Sequence, residues 1–116
     1  MLSPGAGTKI YLALDPVDMR CGFDGLAARV VDALKLDPFS GALFLFRGKN
    51  GGLLKALHWD GQGLCLFAKR LEKGKFVWPT MHDGAVRLSR AQLSMLIEGM
   101  DWRRAVSDEV EQPTAV

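Results

Sequence analysis

Residues 41–79, GALFLFRGKNGGLLKALHWDGQGLCLFAKRLEKGKFVWP, decide how this 116-residue chain is read. Apolar runs of strand length are separated by KNGG, DGQG and EKGK. Each joint carries glycine, which reaches the positive φ angles of tight hairpin turns without a Cβ clash. The spacing predicts four antiparallel strands in a meander. In the run 53–59, Leu53, Lys55, Leu57 and Trp59 fall on one face and Leu54, Ala56 and His58 on the other. Neither face is purely polar. One is expected to lie under helices and the other under remaining strands, a partner or a ligand.

Upstream, KIYLAL (Lys9–Leu14) reads as a further strand that Asp15-Pro16 ends. Phe23, Leu26, Ala27, Val30, Val31 and Leu34 then recur at the spacing of one helical face. Asp24 is read as the N-cap of that helix, because a carboxylate there accepts unpaired amide protons and faces the positive end of the dipole. Leu36-Asp37-Pro38 is read as its end. Downstream, a loop through His82, Asp83 and Gly84 leads to Ser89-Arg90-Ala91-Gln92, which has capping-box spacing. Leu93, Leu96, Ile97 and Met100 follow on one helical face, with Gly99 placed to let the chain leave. The expected fold class is α+β, an antiparallel meander sheet of four to five strands packed with two short helices. Residues 1–104 are expected to form one domain. Residues 105–116 are acidic, lack aromatics and are expected to be a disordered tail.

Composition narrows the function classes. No apolar run approaches the roughly 20 residues of a membrane span, and MLSPGAGTK has no signal-peptide pattern, so a cytoplasmic protein is expected. Cys21 and Cys65 stand far apart without CxxC spacing, and His58 and His82 have no companion at metal-ligand spacing, so no metal or cofactor is expected. Asp15, Asp18 and Asp24 are the carboxylates from which a metal-dependent nuclease would be built. A proline turn and a helix cap explain them more simply. RGKNGG lacks the order of a Walker loop and reads as a hairpin joint.

Charge is the strongest functional signal. Residues 41–79 hold seven Lys or Arg against Asp60 and Glu72, a net +5 in a chain whose total is +2. Arg47, Lys49, Lys55, Lys69, Arg70, Lys73 and Lys75 are therefore the candidate nucleic-acid-binding residues, because cations along a backbone release counterions without reading bases. In a meander the first and third joints share one end, which brings Arg47 and Lys49 toward Lys73 and Lys75. The competing explanation is a solvated face whose lysines discourage edge-to-edge aggregation. The aromatics Phe44, Phe46, Trp59, Phe67, Phe76 and Trp78 are read first as core and second as a base-stacking platform.

The order of motifs resembles a known family, the small accessory protein (TnpB, the second open reading frame product) of insertion sequences of the sixty-six family. The resemblance rests on Asp18-Met19-Arg20, Gly22-Phe23-Asp24-Gly25-Leu26, Asp37-Pro38-Phe39-Ser40-Gly41 and Phe46-Arg47-Gly48. It continues through Trp59-Asp60-Gly61, Gly63-Leu64-Cys65-Leu66, Lys69-Arg70-Leu71-Glu72, Trp78-Pro79 and Asp101-Trp102. Cys21, Gly51-Gly52 and His58 depart from the family's usual residues. The resemblance implies a bacterial mobile-element protein, encoded beside a larger transposase and assisting transposition by a mechanism that the resemblance does not supply. The residues assemble no nucleophile with a base, carboxylate pair or metal cluster, so a non-catalytic protein is expected. RNA-guided nucleases that share the short name are far longer and carry catalytic carboxylates and zinc cysteines absent here. Two roles are expected to compete: DNA binding through the basic sheet surface, and docking to the transposase, or to another protein encoded by the same element, through exposed aromatics. Membrane association is not expected.

Overall fold

The structure is a computed structural model, and residues 2–104 are described. Five strands, β1 (Ile10–Ala13), β2 (Leu43–Arg47), β3 (Leu53–Trp59), β4 (Leu64–Arg70) and β5 (Ala85–Leu88), form one sheet in the order β4-β3-β2-β1-β5. The helices α1 (Phe23–Asp32) and α2 (Arg90–Ile97) lie on opposite faces, and a 3₁₀ turn, Trp102–Arg104, follows α2. The fold class is α+β as expected.

The sheet is mixed rather than purely antiparallel. β2, β3 and β4 form the expected hairpins, with Leu45 opposite Ala56 and Leu57 opposite Leu66. β1 instead pairs in parallel with β2, Ile10 beside Leu43. A parallel neighbour requires a crossover, and residues 14–42 with α1 supply it. The expected fourth meander strand does not form at Phe76–Trp78. After Gly74 the chain crosses onto the sheet face, where the Phe76 amide donates to the Gly51 carbonyl at 3.0 Å and the ring is only 3% exposed. Burial of that ring outweighs pairing along an open edge. The remaining strand is β5, which pairs antiparallel with β1, Leu88 opposite Ile10.

Alternation sorts the core into two layers. Ile10, Leu12, Leu43, Leu45, Leu54 and Ala56 point toward α2, where Leu93, Leu96, Ile97, Phe76 and Trp102 close over them. Phe44, Phe46 and Leu57 point the other way and meet Leu26 and Val30 of α1. Helices thus cover both faces, although the second was expected to lie under remaining strands, a partner or a ligand. Leu2, ahead of β1, also packs on the α2 layer.

The helix ends depart from expectation at α1 and agree with it at α2. Ser89 and Gln92 form the expected capping box, the Ser89 hydroxyl accepting from the Gln92 amide at 3.0 Å and the Gln92 side chain accepting from the Ser89 amide at 2.8 Å. Gly99, at φ 78°, ends α2 with Met100 N–H donating to Met95 and Gly99 N–H to Leu96, the two bonds of a Schellman motif. Asp24 is not the cap of α1. The helix begins earlier than a cap at Asp24 requires, with Gly22 as N-cap and no side-chain cap, and Asp24 lies within the first turn. The helix also ends before Leu36, and Lys35 takes a left-handed φ of 57°.

Candidate nucleic-acid interface

The strand directions bring the chain's basic joints to one end of the sheet. β1, β2 and β4 finish there, and β3 and β5 begin there. This loop end carries the β2–β3 joint at residues 48–52 and the segment 71–78 that follows β4. Gly51 joins them. Its carbonyl accepts both the Phe76 amide and the Trp78 indole N–H, each at 3.0 Å, while the Leu71 amide donates to Gly52 at 2.9 Å. Gly51 has φ 77°, and a Cβ there would lie 3.1 Å from the Trp78 indole nitrogen and 3.4 Å from Cδ of Lys75. A side chain at this position would be strained twice, by backbone and by contact. The two joints therefore act as one platform, with the Lys75 stem lying across Gly51.

The seven candidate residues divide into two groups on this scaffold. Three are committed to the fold. The Arg47 guanidinium donates to the Leu14 carbonyl at 3.3 Å and lies 5.9 Å from the centroid of the Trp78 ring. Its Nε is buried without a partner. Lys55 Nζ donates to the Cys21 carbonyl at 2.8 Å, which ties the loop before α1 to the sheet. Lys69 Nζ donates to the Ile97 carbonyl at 2.8 Å, placing a cation on the last residue of α2, where carbonyls lack helical partners and the dipole is negative. Four are exposed at or beside the loop end. Lys49, Lys73 and Lys75 make no hydrogen bond or ion pair to any other described residue, and Arg70 is held by Glu72 at 3.0 Å.

Arg20 belongs to the same end, although its sequence context did not single it out. Its side chain is 90% exposed and paired with Asp18 at 2.7 Å. The Asp18–Met19 segment lines a hollow of about 470 Å³ together with Gly48, Lys49 and Asn50. Hydrogen bonds from the Arg20 side chain and backbone hold the Asp18 carboxyl down at about 2, with Lys49 adding a smaller electrostatic pull. The signal that places Arg20 here is the parallel pairing of β1 with β2, which delivers residues 14–20 to the end where β2 finishes.

The carboxylates weighed as a metal site are employed separately. Asp18 holds Arg20, and Asp24 lies in the first turn of α1. Asp15 accepts the Asp83 amide and faces the His82 ring at 3.4 Å. No three His, Cys, Asp or Glu side chains among the described residues are grouped to hold a metal ion.

The far end of the sheet differs in chemistry. Asp60 accepts the amides of Gln62 and Gly63, each at 2.9 Å, and the Cys65 thiol at 3.5 Å, and these donors lower its carboxyl. The Cys65 thiol is pushed up by desolvation and by that carboxylate, which suppresses its thiolate. Phe39, 54% exposed, meets Trp59 edge to face at 5.4 Å. Phe44, Phe46 and Phe76 are core, and Trp78 is half-buried behind Arg47, so none of these four offers an open stacking face at the basic end.

Comparison with known proteins agrees with this arrangement of motifs. The chain is 51% identical to the uncharacterized protein y4hO of Sinorhizobium fredii and 43% identical to the uncharacterized protein y4jC of the same organism, in each case over all of this chain and 99% of the relative. No solved structure matches it. The family described as IS66 Orf2 like protein matches residues 8–107, a span that takes in the sheet, both helices and the basic loop end, and the chain belongs to that family of insertion-sequence accessory proteins.

Proposed function

We propose that this protein is a non-catalytic accessory factor of DNA transposition that holds nucleic-acid phosphate at its basic loop end. The observation that supports this reading is the placement of Lys49, Lys73 and Lys75, with Arg70 beside them, on a platform pinned through Gly51. Clustered ammonium groups repel one another, and a polyanion relieves that repulsion while releasing its own counterions. With Phe76 in the core and Trp78 half-buried behind Arg47, the exposed groups of this platform are cations, and the contacts are to phosphate and read sequence weakly. In the test, Lys49, Arg70, Lys73 and Lys75 are all changed to Gln and binding to two duplexes of unrelated sequence is measured. Equal weakening on both duplexes in a folded variant is the expected result. Unchanged affinity would remove the reading.

A second reading has its own observation. The Phe39–Trp59 pair at the far end is an exposed aromatic contact of the kind that anchors protein interfaces, and it fits docking to the element's transposase. Pull-down of the tagged protein with the transposase, with and without DNase, separates the two. Retention that survives DNase and is lost in Phe39→Ala supports docking, whereas retention that DNase abolishes supports the DNA reading.

A further inference from the structure

The two edges of the sheet are guarded differently. β5 is four residues long, short enough to offer little template for another strand. β4 runs seven residues, pairs with β3 without a bulge from Leu53–Arg70 to Trp59–Leu64, and contains no proline. Cations on an edge ordinarily deter pairing, yet both at the end of β4 are drawn back onto their own molecule, Lys69 to the Ile97 carbonyl and Arg70 to Glu72. Leu64, Leu66 and Phe67 are only partly covered.

We propose that β4 pairs antiparallel with β4 of a second copy of this chain, forming a continuous ten-stranded sheet about a twofold axis at Phe67. The register follows from the requirement that all seven residues overlap. Phe67 then stands opposite its symmetry mate, Leu66 opposite Ala68, Cys65 opposite Lys69 and Leu64 opposite Arg70. No like charges are opposed. On the α2 side, Lys69 of one copy faces Cys65 of the other, whose thiol lies 3.5 Å from the Asp60 carboxylate. On the α1 side, Arg70 faces Leu64, the register partner of Trp59, whose ring meets the exposed Phe39. The end of each strand at which Lys69 and Arg70 are held thus lies beside the Asp60 turn and the Phe39–Trp59 pair of its partner, with no like charges opposed along the strands, and the twofold axis repeats that match. This complementarity selects a second copy over an unrelated strand, because the chain itself supplies both halves. The two basic loop ends would then lie at opposite ends of the dimer, each available to a separate stretch of duplex.

The pairing is tested without DNA, so its outcome is independent of the phosphate reading. Sedimentation of the full chain across a wide concentration range is expected to show a species of twice 12.7 kDa. Ala68→Glu, an exposed position whose change leaves the core untouched, is expected to weaken that dimer at least tenfold. In a Cys21→Ser, Cys65→Ser background, Phe67→Cys is expected to form an intermolecular disulfide under oxidised glutathione, since directly opposed residues bring their Cβ atoms to about 4.5–5.5 Å, a short adjustment from the roughly 3.5–4.5 Å of a disulfide. Arg87→Cys in the same background is expected not to. A chain that stays monomeric and uncross-linked, or a dimer indifferent to Ala68→Glu and without a Phe67→Cys cross-link, would overturn the proposal. A monomer that pairs only with a strand of another protein would overturn it equally.

Discussion

The strand bodies and the loop end of this sheet carry the same residue types and use them in opposite ways. Lys55 and Lys69, seated on β3 and β4, each donate to a main-chain carbonyl at 2.8 Å, and Arg47 at the end of β2 reaches the Leu14 carbonyl. Lys49, Lys73 and Lys75, only a few residues away in sequence, extend into solvent. A cation in the first set fastens one element to another. Under the proposed function, a cation in the second set contributes to a field that acts on nucleic-acid phosphate outside the molecule. A count of positive charge along residues 41–79 merges the two sets.

The largest expected effect is on the loop end. Charge reversal in Lys73→Glu, Lys75→Glu is expected to lower duplex affinity by more than a hundredfold at low salt while leaving the melting temperature within a few degrees. Loss of folding in that variant, read by circular dichroism, would place these lysines in the first set. Next in size is the converse change. Lys69→Gln is expected to cost about 1–2 kcal/mol by denaturant unfolding, because it removes a charged hydrogen bond from a carbonyl at the end of α2, with duplex binding by the folded variant unchanged. A thermally silent Lys69→Gln that weakened DNA binding would reverse the assignment. The Ser89→Ala change should cost about 1 kcal/mol by removing the cap, again without touching binding, and serves as the measure of a purely structural loss.

The smallest effect concerns Arg20. Asp18→Asn is expected to release its guanidinium and strengthen duplex binding severalfold, since the loop end loses a carboxylate beside Lys49. The carboxyl itself should titrate at about 2 by NMR and return toward the usual 3.8 in Arg20→Gln. The sign is fixed by the direction of the shift. A carboxylate whose folded value is depressed adds stability above its unfolded value, and that contribution disappears as pH falls from about 4 to about 2.

What was legible in the sequence is what short-range chemistry determines. Glycine-bearing joints, alternation in Leu53–Trp59 and the Ser89–Gln92 box each act within a few residues, and the three hairpin-linked strands, the apolar character of both sheet faces and the start of α2 follow from them. Two short-range readings fail as well, Asp24 as the cap of α1 and Leu36 as its end, but the larger errors lie where a distant partner decides. β5 needs β1, some seventy residues earlier, and its AVRL stretch is too short to announce itself. Phe76 leaves the meander because Gly51 and the α2 layer offer it more burial than the open edge of β4. At the candidate site, the convergence of the joints followed from hairpin geometry. The capture of Lys55 by Cys21 and of Lys69 by Ile97 did not, because neither acceptor is marked by side-chain type. The acidic stretch 105–116 lies outside the described residues, and deleting it is expected to leave the melting temperature unchanged within a few degrees.

The division between fastening and available cations is tested most directly by the salt dependence of duplex binding in matched variants. Affinity is measured against salt concentration for the wild type, for Lys49→Gln with Lys73→Gln and Lys75→Gln, and for Lys55→Gln with Lys69→Gln. The loop-end variant is expected to flatten the log–log slope by about 0.9 for each phosphate it no longer neutralises, up to about 2.7, and the strand-body variant to leave it unchanged once the folded fraction is accounted for. Equal flattening in both variants, or none in the loop-end variant, would contradict the account.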